Sequence, residues 1–245
     1  MGCSDLNPQP PVGRIPDGVR IYAIGDIHGR VDLLDQVLTR IDVHLASDPI
    51  HQPIHVFLGD YVDRGPASRA VLDRLIDRSR SHTTVFLKGN HEVFFTDFLN
   101  DPVILDEWRK YGGLETLMSY GLKPSTMTSI NQHEELAAEF ERVLPPSHRD
   151  FLIALKTFYV CGDYYFVHAG IRPGIALNLQ REDDLLWIRN EFLRHEEPFD
   201  KIIVHGHTPV LQPEIHPNRI NIDTGAYATG ILTCLMLEAD KRIFI

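Results

Sequence analysis

The sequence predicts an α/β fold built on a mostly parallel sheet, and two observations lead to this fold class. Short β-rich runs alternate with amphipathic runs of helical period three times within the first hundred residues. Each β-rich run ends in a polar motif that contains or adjoins a glycine. Because parallel strands present their carboxyl ends at one edge of a sheet, we expect these motifs to converge on a single site.

The first unit is a strand, a polar turn and a helix. Residues 19–25 are apolar at alternate positions, which predicts the strand. A helix is predicted over about residues 31–46, because apolar side chains recur there at steps of three and four: Val31, Leu34, Leu38, Ile41 and Leu45.

Two further units repeat the pattern. Residues 55–58 form a predicted strand, and Ser68 is a candidate cap for the helix that follows it. Residues 84–87 form a predicted third strand, with a helix beyond Asn90. The three units account for the parallel part of the expected sheet.

The later part of the chain changes character. From about residue 100 to residue 156 the sequence is polar and rich in helix-forming residues, and Pro145 and Pro146 interrupt it. This pattern predicts a helical insertion. Afterwards β-rich sequence returns, with predicted strands over residues 158–161, 164–167, 201–204, 231–237 and 242–245. We therefore expect a flexible, proline-containing N-terminal tail over residues 1–18 and a single domain over residues 19–245.

Composition limits the classes of function. The chain has 245 residues, 43% of them hydrophobic, which suffices for a sizeable core. Its net charge of −10 argues against binding to nucleic acid or to an acidic membrane. Three scattered cysteines argue against a disulfide framework, and no apolar run reaches transmembrane length. We expect a soluble cytoplasmic protein, with its oligomeric state left open.

Five motifs carry the candidate chemistry. In chain order they are Gly25–Gly29 (GDIHG), Gly59–Gly65 (GDYVDRG), Gly89–Glu92 (GNHE), His168–Gly170 (HAG) and His205–Thr208 (HGHT). They supply carboxylates, imidazoles, an amide and an arginine beside glycines that allow close backbone approach. This set of groups is typical of a metal-assisted attack on a phosphate.

The possible ligands suit two divalent metal ions. Asp26 and His28 are two residues apart, so on extended backbone their side chains point to the same side and can bind one cation. Asp60 adds a carboxylate that can bridge two cations. Three neutral groups can complete a second site: Asn90, His168 and His207. Mixed oxygen and nitrogen ligands fit manganese, iron or zinc, which generate hydroxide from water at neutral pH.

The ordered motifs resemble those of the phosphoprotein phosphatase family within the calcineurin-like metallophosphoesterases, over residues 19–99 and 158–232. The resemblance implies a four-layer α/β/β/α sandwich with a helical insertion. It also implies two divalent metal ions, manganese first, with iron or zinc as alternatives. The first metal is assigned to Asp26, His28 and Asp60. The second metal is assigned to Asp60, Asn90, His168 and His207.

The same resemblance implies roles for residues around the metals. His91 is the implied general acid for the leaving oxygen, and Asp63 orients it. Arg64 would bind phosphate oxygens, and Arg189 resembles a second phosphate-binding arginine of bacterial and phage members. The implied reaction is hydrolysis of a phosphomonoester by a hydroxide that bridges the two metals.

Two departures from the family pattern leave the substrate class open. Most Ser/Thr phosphatases of this family have arginine two residues before the metal-binding asparagine, where this chain has Lys88. That change, with the sequence Ile-Arg-Pro-Gly at residues 171–174, also resembles a Rhizobiales-like branch associated with phosphotyrosine. Phosphoserine or phosphothreonine and phosphotyrosine therefore stay as alternatives.

The first functional hypothesis is a metal-dependent phosphoprotein phosphatase whose partner is a phosphorylated protein or peptide. The alternative is a dinucleoside polyphosphate hydrolase acting on diadenosine tetraphosphate, since such enzymes share the opening motif. Asp63 argues against the alternative because those enzymes commonly lack this acid, and so does Glu92, where they tend to carry aspartate.

Two other functions rank lower. A cyclic-nucleotide or lipid phosphodiesterase ranks third, because Pro209 stands where that wider group often has a metal-binding histidine. A catalytically inactive scaffold is the hypothesis of a different class. It is disfavoured because such proteins normally lose ligands, and none of the six is missing here.

Several nearby residues receive no catalytic role. His205 is expected to support the site or the fold, and residues 223–225 to form a tight turn. Tyr227 is expected either to contact the substrate or to pack. The histidines outside the motifs, His55 among them, are expected at the surface or in loops.

Overall fold

The structure is a computed structural model that describes residues 13–124 and 130–245. Its strands are β1 Val19–Ile24, β2 Gln52–Phe57, β3 Thr84–Phe86, β4 Phe158–Cys161, β5 Tyr164–Val167, β6 Ile202–His205, β7 Glu214–Ile215, β8 Arg219–Asn221, β9 Cys234–Glu238 and β10 Lys241–Phe244. Its α-helices are α1 Val31–Ser47, α2 Ser68–Ser79, α3 Asn90–Asn100, α4 Leu105–Trp108, α5 Gly113–Ser119, α6 Ile130–Val143, α7 Pro146–Ile153, α8 Glu182–Trp187, α9 Asn190–Leu193 and α10 Ala226–Thr229.

The described strands form two five-stranded sheets. The first has the order β10-β9-β1-β2-β3, in which β1, β2 and β3 are parallel and β9 and β10 are antiparallel additions. The second has the order β4-β5-β6-β8-β7, in which β5, β6 and β8 are parallel and the edge strands are antiparallel. The expected parallel arrangement is thus present in the three central or adjoining strands of each sheet, and antiparallel strands complete both. Strands β4 to β8 build the second sheet, and antiparallel partners make both sheets mixed.

The core lies in three layers of apolar contact. Ile21 and Ala23 of β1 face the space between the sheets, which they share with Phe166 of β5. The alternate residue Tyr22 faces the helices α1, α2 and α3. Tyr165 faces the side chains around α8 and α9. This alternation of side chains buries both faces of each sheet, and the predicted four-layer α/β/β/α sandwich is confirmed.

The region of the predicted insertion is helical. Helices α4 to α7 pack on α2 and α3 through an aromatic cluster that includes Phe95, Trp108 and Phe140. Residues 125–129 of this region lie outside the described residues. Among the helices that are described, none combines the length and apolar character needed to cross a membrane.

Part of the predicted N-terminal tail is packed. Residues 1–12 lie outside the described residues, but residues 13–18 contact the sheets. Ile15 is fully buried between the sheets, and its backbone N–H donates to the carbonyl of Ala239 at 2.9 Å. The hydroxyl of Tyr164 donates to the carbonyl of Gly13 at 3.1 Å. Burial of the apolar Ile15 side chain thus makes residues 13–18 part of the packed domain.

Ser68 does not cap α2, contrary to the prediction. The helix has Ala67 at its N-cap position with no side-chain capping bond. Ser68 is buried, and its hydroxyl accepts a hydrogen bond from the backbone N–H of Asp63 at 3.1 Å and contacts the hydroxyl of Thr116 at 2.9 Å. A tertiary contact has replaced the local one.

His55 is buried, so the prediction that it lies at the surface or in a loop is wrong. His133 and His148 are also buried, contrary to the same prediction. Its ring packs edge-on against Tyr22 at 5.6 Å, and Arg78 donates to its Nδ1 at 3.3 Å. Its Nε2 has no hydrogen-bond partner among the described residues. Burial, followed by the charge of Arg78, lowers the pKa of His55 to about 3.

We expect His55 to make stability depend on pH. Because its folded-state pKa lies below the unfolded value of about 6.5, the neutral ring favours the folded state above pH 6.5, and this contribution is lost toward pH 3. Between pH 7 and pH 5 the loss is about 2 kcal/mol of unfolding free energy. Urea unfolding at both pH values measures it, and His55→Leu should reduce the pH dependence by that amount. The exposed His51→Leu is the control, and equal pH dependence in wild type and His55→Leu would contradict this expectation.

Candidate metal centre

The predicted ligands lie at the carboxyl ends of the parallel strands. Asp26 and His28 follow β1, Asp60 follows β2, Asn90 follows β3, His168 follows β5 and His207 follows β6. Since both sheets present these ends to the same place, ligands that are far apart in sequence become neighbours.

Asp60 lies at the centre of the cluster and is 2% exposed. Its Oδ2 is 3.5 Å from Nε2 of His28 and 3.8 Å from Nε2 of His91. Its Oδ1 is 3.3 Å from Nε2 of His168. Two groups of possible ligand atoms therefore share this carboxylate, and in each group the atoms lie within 4.8 Å of one another: His28, Asp60 and His91 in one, and Asp60, His168 and His207 in the other.

Asn90 completes the second group. Its Oδ1 lies 2.8 Å from Nδ1 of His207 and 3.0 Å from Nε2 of His168. The two ring nitrogens are 3.2 Å apart. An amide oxygen and two imidazoles that converge in this way form a set of neutral ligands suited to a transition metal.

Backbone carbonyls orient two of the imidazoles. Nδ1 of His28 is 2.9 Å from the carbonyl of Val62, and Nδ1 of His168 is 2.9 Å from the carbonyl of Leu58. With Nδ1–H as the donor, each Nε2 presents its lone pair to the site. Burial lowers the pKa of His28, His168 and His207, that of His207 to about 2, so the rings are neutral and able to bind a metal.

Asp26, assigned to the first metal by the sequence analysis, belongs to neither group of ligand atoms and contacts the backbone of His207. Its Oδ2 accepts from the backbone N–H of His207 at 3.0 Å, while its Oδ1 has no hydrogen-bond partner among the described residues. Burial, followed by the charges of Asp223 and Asp60, raises the pKa of Asp26 well above its usual value. Asp223 belongs to residues 223–225, which were expected to form a turn without chemistry.

Asp223 follows β8 in the second sheet. Its Oδ1 does accept from the backbone N–H of Gly225 at 2.9 Å, as in a tight turn. Burial raises its pKa to about 6, with a further contribution from Asp60. It therefore adds a buried carboxylate beside the predicted ligands. Its position after a strand was a usable signal, but β8 has three residues and was not predicted.

The backbone at the ligands is strained. His28, Asp60 and His207 have φ values of 47°, 53° and 65°, in the left-handed region that costs energy for residues with a side chain. Gly206 touches Asp26 so closely that an added Cβ would overlap its carboxylate. Such strain is kept where the surrounding structure needs these side chains in place.

Glu92 holds the backbone that carries Asp60. Its carboxylate accepts from the N–H groups of Asp60, Tyr61 and Gly89 at 2.9, 2.8 and 2.9 Å. Burial, together with the charge of Asp60, raises the pKa of Glu92 to about 7. The sequence analysis used Glu92 to distinguish substrates, but the structure places its contacts on the backbone.

His91 and Asp63 lie together as predicted, beside Asp60. Nδ1 of His91 is 2.6 Å from Oδ2 of Asp63. Burial lowers the pKa of His91, but the charges of Asp60 and Asp63 outweigh it and raise the pKa above its usual value. Asp63 is held in turn by the indole N–H of Trp108 at 2.7 Å and the hydroxyl of Thr116 at 2.6 Å.

Trp108 and Thr116 were missed by the sequence analysis. Both lie in the helical region that matched none of the motifs, so only their tertiary contact with Asp63 identifies them. They fix the carboxylate that orients His91.

The two predicted phosphate-binding arginines flank the centre. Nη2 of Arg64 is 3.4 Å from Nε2 of His91, and the Arg64 guanidinium lies 4.5 Å from the ring centre of Tyr227. Arg189 is exposed, and its Nη1 donates to the hydroxyl of Thr208 at 3.5 Å. One guanidinium therefore lies on the His91 side of the centre, and the other lies on the side of the HGHT motif.

The roles of Lys88 and His205 were left open by the motifs, and their contacts are structural. Lys88 pairs with Glu182 of α8 at 3.0 Å. His205 is buried against Phe192, with the ring centres 4.9 Å apart, and burial lowers its pKa to about 3. Neither side chain belongs to the two ligand groups.

The residues fit a pair of divalent cations. Asp26 and Asp223 have pKa values raised by burial and by other carboxylates, which is the mark of too much negative charge in one place. Oδ1 of Asp26 is buried without a partner among the described residues. Bound cations would relieve both conditions, and the oxygen and nitrogen donors suit manganese, iron or zinc.

We expect metal binding to stabilise the folded protein. At a Mn²⁺ concentration of 100 times Kd, binding adds about 2.7 kcal/mol, which raises the unfolding temperature of a chain this size by roughly 5–10 °C over the protein in EDTA. Asp60→Asn should lose most of this shift, because its carboxylate faces both ligand groups. Asp97→Asn, an exposed position on α3, is the matched control. Equal shifts in the two variants would contradict the assignment of Asp60.

Known proteins resemble this chain in sequence and fold. A relative from Anoxybacillus flavithermus, named bis(5'-nucleosyl)-tetraphosphatase PrpE (asymmetrical), is 29% identical over 86% of this chain and 88% of its own. The crystal structure of a proposed diadenosine tetraphosphatase matches with a TM-score of 0.61 and 19% identity, over 96% of this chain and 93% of that one. A cold-active protein tyrosine phosphatase matches with a TM-score of 0.58 and 16% identity, over 100% and 84%.

The predicted partner, a phosphorylated protein or peptide, is contradicted by the names of the sequence relatives. Sequence relatives of 25–29% identity are named for a dinucleoside tetraphosphate substrate. The contacts of the residues behind the prediction carry no information about the substrate, because Glu92 binds backbone N–H groups and Asp63 binds the ring of His91. The finer resemblance to phosphoprotein phosphatases and their Rhizobiales-like branch is not confirmed.

The family itself is established by a profile of calcineurin-like phosphoesterases that matches residues 19–230. This stretch runs from the first residue of β1 to just beyond α10 and includes all five motifs. The chain therefore belongs to the calcineurin-like phosphoesterases, a family of hydrolases that use a dinuclear metal centre.

Proposed function

We propose that the protein hydrolyses dinucleoside tetraphosphates asymmetrically, to a nucleoside triphosphate and a nucleoside monophosphate. The observation that carries the choice of substrate is the shared name of relatives that match along 86–88% of this chain. The site supports the choice because it combines two groups of metal ligands with flanking arginines, which suits a substrate with several phosphates.

We infer that the metal ions are held as the motifs indicate. The proposed ligands are Asp26, His28, Asp60, Asn90, His168 and His207. Two divalent ions bound there would neutralise phosphoryl oxygens and lower the pKa of a water molecule, so that it can attack phosphorus near neutral pH. The identity of the ions is proposed as manganese, with iron or zinc as alternatives.

The protein's own residues then position the phosphates. Arg64 lies beside His91 and can donate to non-bridging oxygens of the phosphate under attack. Arg189 lies on the opposite side, close enough to influence the charge state of His168, His207 and Asp223. Since arginine donates through a planar fork, the two residues can orient the phosphate chain between them.

His91 is the proposed proton donor. Its Nδ1 is bound to Asp63, which leaves Nε2 directed to the centre. As water oxygen bonds to phosphorus and the phosphorus–oxygen bond to the leaving nucleotide breaks, Nε2 gives its proton to that leaving oxygen. Asp63 stabilises the imidazolium before the transfer, and Trp108 and Thr116 hold Asp63 in place.

The proposal is tested by a substrate panel in Mn²⁺ and in EDTA. The panel contains diadenosine tetraphosphate, phosphoserine and phosphotyrosine peptides, p-nitrophenyl phosphate and a phosphodiester. We expect kcat/KM for diadenosine tetraphosphate to exceed that for the peptides by about 100-fold or more, which is about 2.7 kcal/mol in transition-state binding. The expected products are ATP and AMP, and EDTA should abolish the activity. A preference for a phosphopeptide, or two molecules of ADP as product, would overturn the proposal.

The support for Asp63 is tested by Trp108→Phe. This change removes the indole N–H that donates to Asp63 but keeps an aromatic ring in the packed cluster. We expect kcat to fall about tenfold with little change in KM, because the orientation of His91 matters in the transition state. Steady-state kinetics on diadenosine tetraphosphate provides the measurement.

The matched control for that variant is Tyr120→Phe. It also removes one buried hydrogen bond, from the Tyr120 hydroxyl to His148 at 2.7 Å, at the end of the neighbouring helix α5. We expect it to leave kcat unchanged. If both variants lowered kcat equally, the effect would be one of stability, and the role given to Trp108 would be wrong.

A further inference from the structure

An open pocket of about 460 Å³ lies beside the metal centre on the side of His91. Its side chains come from the second motif, from the helical insertion and from α10: Arg64, Arg109, Lys110, Tyr111, Glu115 and Tyr227. The volume is within the range of small-molecule sites. None of the motif-based roles requires this pocket.

Arg64 joins the pocket to the reacting centre. Its Nη2 is 3.4 Å from Nε2 of His91, and the same guanidinium lies over the ring of Tyr227. The ring of Tyr111, which lines the same pocket, lies edge-on to that of His91, with the ring centres 6.2 Å apart. A group that leaves from phosphorus beside His91 would therefore extend toward this pocket.

The side chains that line the pocket carry more positive than negative charge, and the acidic partners of Arg109 and Lys110, which are Asp106 and Glu107, lie outside the lining. Three basic side chains and one carboxylate line it, although the whole chain has a net charge of −10. Lys110 pairs with Glu107 at 2.6 Å, but both residues are exposed, and exposed pairs of this kind contribute little. A phosphate chain can therefore compete for Lys110 while Arg64 binds it at the inner end.

Its two tyrosine rings are partly exposed. Tyr111 and Tyr227 are 38% and 39% exposed. Tyr111 is also held in place, because its ring stacks on Phe94 at 5.3 Å with an interplanar angle of 21°. A rigid, partly exposed ring next to cations is the combination that binds a nucleobase by stacking and its phosphates by charge.

We propose that this pocket binds the nucleoside phosphate part of the substrate on the leaving-group side, with Tyr111 stacking on the base and Lys110 and Arg64 contacting phosphates. The proposal rests on the proposed dinucleotide hydrolysis and assigns its nucleoside specificity to the helical insertion. The insertion then has a binding function as well as a structural one.

The test separates the base from the phosphates by calorimetric titration with ATP and with inorganic tripolyphosphate at a fixed free Mn²⁺ concentration. In the wild type we expect ATP to bind about tenfold more tightly than tripolyphosphate. Tyr111→Leu should remove most of this difference, and Tyr111→Phe should keep it. Phe158→Leu is the matched control, because Phe158 is 40% exposed and stacks on Tyr165 at 5.0 Å, far along the chain from the pocket.

An unchanged ratio of the two affinities in Tyr111→Leu, or an equal loss in Phe158→Leu, would overturn the proposal. Kinetics distinguish this failure from failure of the proposed function. If the wild type prefers diadenosine tetraphosphate and Tyr111→Leu does not raise its KM about tenfold, the pocket is wrongly assigned and the function stands. If the wild type does not hydrolyse the dinucleotide, the function fails, and the calorimetric ratio still decides whether the pocket recognises a nucleoside.

Discussion

A charged carboxylate, that of Asp60, must be kept almost fully buried at the junction of the two sheets, and much of the surrounding structure serves this requirement. Burying an isolated charge costs several kcal/mol unless it is paired. The ring nitrogens of His28 and His168 approach its two oxygens. When His168, His91 and His28 are protonated, their charge keeps the pKa of Asp60 below its usual value although burial opposes this, and bound cations would supply that charge when the rings are neutral. Glu92 binds the backbone N–H of Asp60, and Gly89 lies too close to the carboxylate to accept a Cβ. The glycines and acidic residues of the motifs therefore serve the same requirement, which is to keep the Asp60 carboxylate buried and in position.

The site divides into two electrostatic halves. Around Asp26 and Asp223 the carboxylate pKa values are raised, while burial lowers the pKa of imidazoles such as His207. This half holds anionic oxygens and neutral nitrogens, and cations are the charge that would balance it. In the other half, Asp63 receives hydrogen bonds from neutral donors and stabilises a protonated His91. His91 faces Asp60 with Nε2, as His28 does, and it is the additional contact of its Nδ1 with Asp63 that distinguishes it from the imidazoles assigned to the metals.

The parts of the fold that could be predicted from the sequence are those fixed by local pattern. The helix predicted over residues 31–46 is observed at Val31–Ser47, because its apolar spacing is that of one buried helix face. Where a tertiary contact competes with a local one, the prediction fails. Ser68 turns away from the cap position toward Asp63, and His55 is buried against Tyr22 although nothing in its local sequence distinguishes it from an exposed histidine. The two sheets could not be separated by pattern, because strand partners such as β8 are only three residues long.

The motifs identify the reaction better than they identify the substrate, and the geometry explains why. The motif side chains that are proposed to act in the reaction face the metal-ligand groups, His91 or the backbone that supports them, so a phosphomonoester and a phosphoanhydride would make the same demands on them. Glu92 reaches three backbone N–H groups, a task that concerns the stability of the site and carries no information about what is bound. In the proposed function, substrate identity is recognised at the rim of the site, where the leaving group would lie. There the chain contributes Lys110 and Tyr111 from a helical segment without a recognisable motif. We therefore expect changes in the helical insertion to alter the substrate specificity of the protein without altering its metal centre.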